Sequence, residues 1–139
     1  MNAKQYLNRA RHIDKEINAL LAEKERTRDR LTQITQSYTR SEVQVTKDPH
    51  KFDRLVELEN LIDQKVDEQI QVKTEIIRTI SALEDRYQRM VLSGYYISMK
   101  TWEQVAVDMH YSFQNVMRLR KVAIWEVQKI IDAEIDRTV

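Results

Sequence analysis

Residues 101–121 read TWEQVAVDMHYSFQNVMRLRK, and the structure predicted for the C-terminal part of the chain depends on them. Val105, Ala106 and Met109 stand at i, i+1 and i+4, so a first short helix carries one apolar edge that can face a partner helix. Ala106 is small, which lets a second helix cross closely. The pattern therefore predicts two packed helices joined by a tight turn.

The second helix is predicted to begin at Ser112. Ser is a strong N-cap residue, because its hydroxyl accepts a hydrogen bond from a backbone N–H two or three residues later. Val116, Leu119 and Ala123 recur at i, i+3 and i+7 and form the inward stripe. His110 stands at a turn position where Gly is usual. Together these features are typical of a helix-turn-helix, which lays its second helix in the DNA major groove.

Several side chains are left pointing outward at the start of the predicted second helix. They are Phe113, Gln114, Asn115, Met117, Arg118 and Lys121. Gln and Asn can bond adenine edges bidentately, Arg can do so with guanine, and Lys and Arg can hold phosphates. From His110 to Lys121 the chain has three basic residues and no acid, which is a modest basic face. Two packed helices with a capped turn and a solvated face share this spacing, so that plainer interpretation stays open.

The residues just upstream add a family resemblance. The run LEDRYQRMVL at 83–92 and the run GYYI at 94–97 precede the predicted helix-turn-helix. Taken with residues 102–127, they resemble region four of bacterial sigma factors, and more closely the phage transcriptional regulators of the ArpU and related late-regulator type. The positions that carry the resemblance are Leu83, Arg86, Arg89, Val91, Leu92, Tyr95 or Tyr96, Thr101, Trp102, Val105, Ala106, Tyr111, Ser112, Val116 and Ala123.

This resemblance implies packed helices whose second motif helix contacts DNA bases. The base-reading face would fall on Phe113, Gln114, Asn115 and Arg118. Phosphate contacts would fall near Thr101, Trp102, Arg120 and Lys121, and we count Ser112 with them. Sigma region four usually places charged residues where this chain has Phe113 and Asn115, so the preferred DNA sequence does not transfer. Residues 1–80 show no sigma-type core-binding region, which argues against a complete sigma factor.

The N-terminal part of the chain carries a different pattern. A strict alternation of three and four residues selects Ala3, Tyr6, Ala10, Ile13, Ile17, Leu20, Lys24, Thr27, Leu31, Ile34 and Tyr38. Such a heptad seam is typical of a coiled-coil strand, and Lys24 and Thr27 interrupt its apolar character. A long helix that packs within a bundle is the alternative that stays open.

A second long helix is predicted after a loop at about residues 37–48. Asp48 and Pro49 supply its start, with Asp as the cap and Pro at the first helical position. Its apolar positions are Phe52, Leu55, Leu58, Ile62, Val66, Ile70, Ile77 and Ile80. The steps from 55 to 66 run three, four, four, so this strand departs from a pure heptad. An antiparallel helical hairpin is the economical arrangement of the two helices.

The chain is therefore predicted to be all-α, with a long helical hairpin or coiled coil followed by a helix-turn-helix domain. One Gly, one Pro and 32% charged residues suit long solvated helices. We expect a hairpin arm at 1–81 and a DNA-binding domain at 82–139. The thin arm is expected to need a second copy to cover its apolar edge. The residues expected to mediate this oligomerisation are Ile13, Ile17, Leu20, Leu31, Ile34, Leu55, Leu58 and Ile62.

Residue patterns for enzymatic or metal chemistry are missing from the sequence. The chain has no cysteine, and His12, His50 and His110 lie far apart in the sequence, so a zinc site is not expected. It has no Gly-rich phosphate loop, no nucleophile motif and no signal or membrane segment. We expect a protein of the bacterial host cytoplasm that uses no catalytic residues, metal, cofactor, membrane or small-molecule substrate. The net charge of +1 carries no information about DNA.

Three functions fit the sequence. The preferred one is a sequence-specific transcriptional regulator, encoded by a phage or prophage, which binds double-stranded DNA as a homodimer or higher homo-oligomer. A small phage terminase subunit, or another DNA-packaging oligomer, also joins a helix-turn-helix to coiled-coil assembly and would form a ring. An adaptor that binds RNA polymerase without touching DNA is the third. Assembly size and salt-sensitive DNA binding distinguish the three.

Overall fold

The computed structural model is all-α, as predicted. It describes residues 1–40, 50 and 52–138, and for residues 34–40 the backbone alone. Its helices are α1 (Ala3–Arg40), α2 (Asp53–Ser81), α3 (Arg86–Leu92), α4 (Trp102–Met109) and α5 (Phe113–Thr138), and a π-helical segment (Ser93–Ile97) continues α3. Among the described residues, none of these helices combines the length and the apolar character needed to cross a membrane.

The connection between the first two helices differs in part from the predicted loop. The prediction was wrong for residues 37–40, because α1 continues as a helix to Arg40. The rest of the predicted loop, and the predicted helix start at residues 48 and 49, lie outside the described residues. The described part of the second helix, α2, begins at Asp53.

Contacts divide the chain into two compact units that interleave in the sequence. The larger unit combines residues 1–12 with residues 69–139, and the smaller unit is residues 13–68. This division differs from the predicted boundary after residue 81, which stays a prediction. The difference arises because the first turns of α1 and the last turns of α2 share a core with the C-terminal helices.

In the smaller unit, α1 and α2 run antiparallel. Lys65 Nζ lies 2.7 Å from Glu16 Oε2, and Lys24 Nζ lies 3.3 Å from Glu59 Oε1. Of the predicted oligomerisation residues, Ile13, Ile17, Leu58 and Ile62 are buried in the single chain, and Leu20, Leu31 and Leu55 are half-buried. The side chain of Ile34 lies outside the described residues. Oligomerisation through this seam stays a prediction.

The seam predicted for α2 is confirmed at Leu58, Ile62 and Ile80, which are buried, and Leu55 is half-buried. It is wrong at the other four positions. The exposed members of the predicted set are Phe52, Val66, Ile70 and Ile77. The buried and half-buried positions of α2 are 55, 58, 62, 65, 69, 72, 73, 76, 79 and 80, and all of these except 73 and 80 follow a regular heptad. Lys65 and Gln69 occupy this seam because a long polar side chain covers apolar surface with its aliphatic stem while its polar end reaches solvent.

The core of the larger unit gathers side chains from both ends of the chain. Its buried members are Ala3, Leu7, Ala10, Ile76, Ile80, Leu83, Leu92, Tyr96, Ala123 and Val127. Two hydrogen bonds fix the start of α1 in this core. The Ala3 N–H donates to Gln128 Oε1 at 2.7 Å, and the Tyr6 hydroxyl lies 2.8 Å from Thr79 Oγ1. The first turns of α1 are thereby held against α2 and α5.

A close approach at Gly94 sets the spacing between the π-helical segment and α4. A Cβ at Gly94 would lie 2.9 Å from Val105 Cγ2, which is closer than side-chain carbons pack. Val105 belongs to a second buried cluster with Val91, Ala106 and Val116. Because this cluster contains residues of α3, α4 and α5, it fixes how the last two helices meet.

Candidate nucleic-acid interface

The chain leaves α4 through a left-handed residue. His110 has φ 58° and ψ 35°, a left-handed conformation that Gly adopts most readily. This conformation is the reason why Gly is usual at this position of the turn. The His110 N–H donates to the Val107 carbonyl at 3.1 Å, and the Tyr111 N–H donates to the Ala106 carbonyl at 3.0 Å. This pair of bonds is a Schellman motif, which satisfies the last carbonyls of α4 and directs the chain into α5.

Ser112 caps α5, as predicted. Its Oγ accepts a hydrogen bond from the Asn115 N–H at 3.1 Å, and its carbonyl accepts one from the Val116 N–H at 3.1 Å. Thr101 caps α4 in the same way, because its Oγ1 accepts from the Gln104 N–H at 3.1 Å. Ser112 and Thr101 are both exposed. A hydroxyl that accepts a cap bond keeps its O–H as a donor, which suits a nearby phosphate.

The four side chains predicted to read bases all lie on the exposed side of the first turns of α5. Phe113 is 45% exposed, and Gln114, Asn115 and Arg118 are exposed too, whereas Val116 between them is completely buried. Arg118 Nη2 donates to Asn115 Oδ1 at 3.1 Å, which holds the two polar side chains next to each other. The start of α5 therefore presents polar groups and one aromatic ring to solvent.

This exposed start of α5 is positively charged. Arg118 and Lys121 are exposed, and no acidic residue stands between positions 109 and 125. The neighbouring helix α4 carries the exposed acid Glu103. The local balance of charge on α5 favours an anionic partner.

The second acid of α4, Asp108, is already paired. Lys100 Nζ lies 2.6 Å from its Oδ2, and Gln104 Nε2 donates to its Oδ1 at 2.8 Å. The hydrogen bond from Lys100 holds the pKa of Asp108 below its usual value, and the bond from Gln104 adds to this effect. The Lys100 charge therefore offsets the Asp108 carboxylate close to the candidate interface.

Trp102 and Arg120, which were predicted to contact phosphates, are half-buried and pack inside the larger unit. The Trp102 ring stacks on the Tyr95 ring, with centroids 3.8 Å apart and planes inclined by 7°. Arg120 Cζ lies 4.9 Å from the centroid of the Trp102 ring, and Arg11 Cζ lies 3.8 Å from that of Tyr95. Arg11 also donates to the Tyr95 carbonyl at 2.8 Å. Because both predicted contacts belong to this stack, we leave them out of the candidate interface.

Two features around the candidate interface are not visible in the sequence. Arg11 stands 84 positions before Tyr95, so no local pattern connects them. The rings of Tyr87 and Tyr111 lie 5.7 Å apart and link the first turn of α3 to the turn before α5. Desolvation raises the pKa of the Tyr111 hydroxyl, and the neighbouring Tyr87 hydroxyl adds to this rise. The Tyr87–Tyr111 contact holds the turn between α4 and α5 against α3, whereas Arg11 ties α1 to the π-helical segment.

A family model described as protein of unknown function (DUF1492) matches residues 43–128. The chain belongs to this family. The DUF1492 match includes the whole candidate interface from Thr101 to Lys121 and ends within α5. No curated protein and no solved structure matches the chain.

Proposed function

We propose that this DUF1492 protein binds double-stranded DNA sequence-specifically through the first turns of α5 and acts as a transcriptional regulator in a bacterial cytoplasm. One observation carries the proposal. Four side chains suited to base edges stand exposed at the start of a capped helix that has no acid in its first turns; they are Phe113, Gln114, Asn115 and Arg118. The DNA major groove admits an α-helix, and helix-turn-helix proteins read bases with the early residues of the second helix.

The hydrogen-bonding capacity of these side chains supports base reading. Arg118 uses one guanidinium N–H on Asn115, which leaves further donors for the O6 and N7 acceptors of guanine. The Asn115 amide keeps its two donors and a second lone pair for adenine. Phe113 offers apolar surface for the methyl group of thymine. The proposed site thus combines three kinds of base contact on one helix face.

Phosphate contacts position such a helix on the duplex. The Thr101 and Ser112 hydroxyls stand at the starts of α4 and α5, and Lys121 is exposed one turn beyond the base-reading face. A contact from Lys121 adds affinity without sequence preference, because it neutralises a phosphate and releases counterions.

The decisive experiment begins with the selection of bound sites from a random DNA library. Fluorescence anisotropy then compares the wild type, Arg118→Ala and the matched control Arg137→Ala, which removes an exposed Arg from the other end of α5. Arg118→Ala is expected to weaken specific binding by about 1–3 kcal/mol and to relax the preference at one base pair. Arg137→Ala is expected to bind as the wild type does. Equal binding by wild type and Arg118→Ala would contradict the assignment of the reading face.

The salt dependence of binding separates phosphate contacts from base contacts. Lys121→Ala is expected to weaken binding to all sequences alike and to reduce the slope of log affinity against log salt by about one. A protein that binds RNA polymerase but shows no salt-sensitive DNA binding would instead be an adaptor. A closed ring in solution would favour the packaging function.

A further inference from the structure

An open apolar groove of about 690 Å³ lies in the larger unit, between the first turn of α1 and the middle of α5. Its lining includes Ala3 and Lys4 from α1 and Val122, Trp125 and Gln128 from α5. Trp125 is 59% exposed and Val122 is 43% exposed. The proposed DNA contacts do not use these two apolar side chains, and a large exposed Trp beside a groove marks an interaction surface.

The charges of α5 are divided between its two halves. From Phe113 to Trp125 the ionised side chains are Arg118, Arg120 and Lys121. From Glu126 to Thr138 they are Glu126, Lys129, Asp132, Glu134, Asp136 and Arg137, so four acids stand against two bases. Two copies of such a helix attract each other when they lie antiparallel, because the basic half of one then faces the acidic half of the other.

The face of α5 that borders the groove continues to the acidic end of the helix. Lys121, Trp125, Gln128, Asp132 and Ile135 follow each other at steps of four, three, four and three, which places them in one stripe. Ile135 is 54% exposed, although it is a large apolar residue. The stripe therefore carries an apolar residue near each end and is basic at one end and acidic at the other.

We propose that the groove receives α5 of a second copy of this chain, in an antiparallel pair whose two-fold axis passes close to Gln128. Gln128 stands midway between Lys121 and Ile135 in the stripe, so this axis brings Ile135 of each copy to the groove beside Lys121 and Trp125 of the other. Asp136 follows Ile135 and reaches the basic end of the partner helix. This interface goes beyond DNA binding, and it differs from the predicted arm interface because it uses neither α2 nor α1 beyond its first turn.

Sedimentation equilibrium of the full chain tests the interface. The wild type is expected to be a dimer, and Trp125→Ala is expected to raise the dimer dissociation constant by at least about tenfold, because a central Trp carries much of the energy of an interface. Ile77→Ala is the matched control, since Ile77 is an exposed apolar residue of the same unit on α2. A wild type that stays monomeric, or a dimer that Trp125→Ala leaves unchanged, would overturn the proposal. A monomer whose groove binds another protein would overturn it as well.

Charge exchange tests the antiparallel arrangement. Lys121→Glu and Asp136→Lys are each expected to weaken the dimer, and the double variant is expected to recover most of the loss. If the double variant loses as much dimer affinity as the two single variants lose together, the result would contradict the antiparallel pairing.

This proposal and the proposed function fail separately. Asn115→Ala removes a base-reading side chain and no charge, so it is expected to keep the dimer and weaken specific DNA binding. Trp125→Ala is expected to lose the dimer and keep the affinity for a single half-site. Loss of the dimer in Asn115→Ala would count against this interface.

Discussion

The packing of Gly94 against α4 gives a prediction whose size follows from one distance. Gly94→Ala places a Cβ 2.9 Å from Val105 Cγ2, and Val105 is only 2% exposed, so it has little room to move away. Overpacking of this kind costs about 1–3 kcal/mol. Ala also restricts the unfolded chain and favours a helical conformation, and these effects stabilise the fold by about 0.5–1 kcal/mol. We expect Gly94→Ala to lower the free energy of unfolding by up to about 2.5 kcal/mol, with a central value of about 1 kcal/mol.

A double-mutant cycle isolates this contact from the intrinsic effect of Ala. Val105→Ala removes both Cγ atoms, so a Cβ at position 94 no longer meets them. In that background Gly94→Ala is expected to raise stability by about 0.5–1 kcal/mol. The coupling between the two positions is therefore expected to be about 1–3 kcal/mol.

Urea denaturation followed by circular dichroism measures the four proteins of the cycle. For a chain of this size, each kcal/mol corresponds to about 3 °C in Tm, so thermal melts provide a second reading. Gly94→Ala could change the free energy of unfolding equally in the wild type and in the Val105→Ala background. In that case, the close approach between Gly94 and Val105 does not exist in solution. The spacing between the π-helical segment and α4 would then have another origin.

Three further predictions concern the caps, the charges and the stack. Ser112→Ala is expected to lower the free energy of unfolding by about 1 kcal/mol, whereas Ser112→Thr keeps the cap, and an equal loss in both variants would contradict the capping role. The folded pKa of Asp108 lies below its usual value of 3.8, so its carboxylate stabilises the fold above pH 3.8 and this contribution is lost as the pH falls through the folded pKa. The stability difference between wild type and Asp108→Asn should therefore disappear in urea melts at low pH, and a difference that persists there would refute the pairing. Arg11→Lys is expected to lower Tm and to shift the tryptophan fluorescence, because a Lys ammonium cannot stack on Tyr95 as a planar guanidinium does. Arg28→Lys is the exposed control on α1, and equal changes in Tm would argue against the stack.

The all-α class and the seam of α1 were predictable from the sequence. Ile13 and Ile17 repeat with heptad spacing and are buried as predicted. The N-cap at Ser112 was predictable too, because a cap depends on residues only a few positions apart. Patterns that act over one or two turns are visible in a single sequence.

The seam of α2 and the orientation of Trp102 were not predictable in the same way. Apolar residues occur on two faces of α2, and the buried face uses Lys65 and Gln69 in place of Val66 and Ile70. A choice of the most apolar positions therefore selects the wrong face. Trp102 is turned inward because its ring stacks on Tyr95 of the π-helical segment, and the Tyr95 ring also contacts Arg11 of α1. Only the tertiary structure brings such residues together.

The hydrogen bond between Ala3 and Gln128 joins positions separated by 125 residues, and it has a consequence for biosynthesis. A ribosome makes the N-terminal turns of α1 first, when Leu7 and Ala10 still have no surface to cover them. The smaller unit, residues 13–68, can form its contacts as soon as α2 has left the ribosome. The larger unit cannot form its core until α5 has been synthesised. A nascent chain that stalls before α5 is complete would therefore display unprotected apolar side chains, which is the form that chaperones and proteases bind.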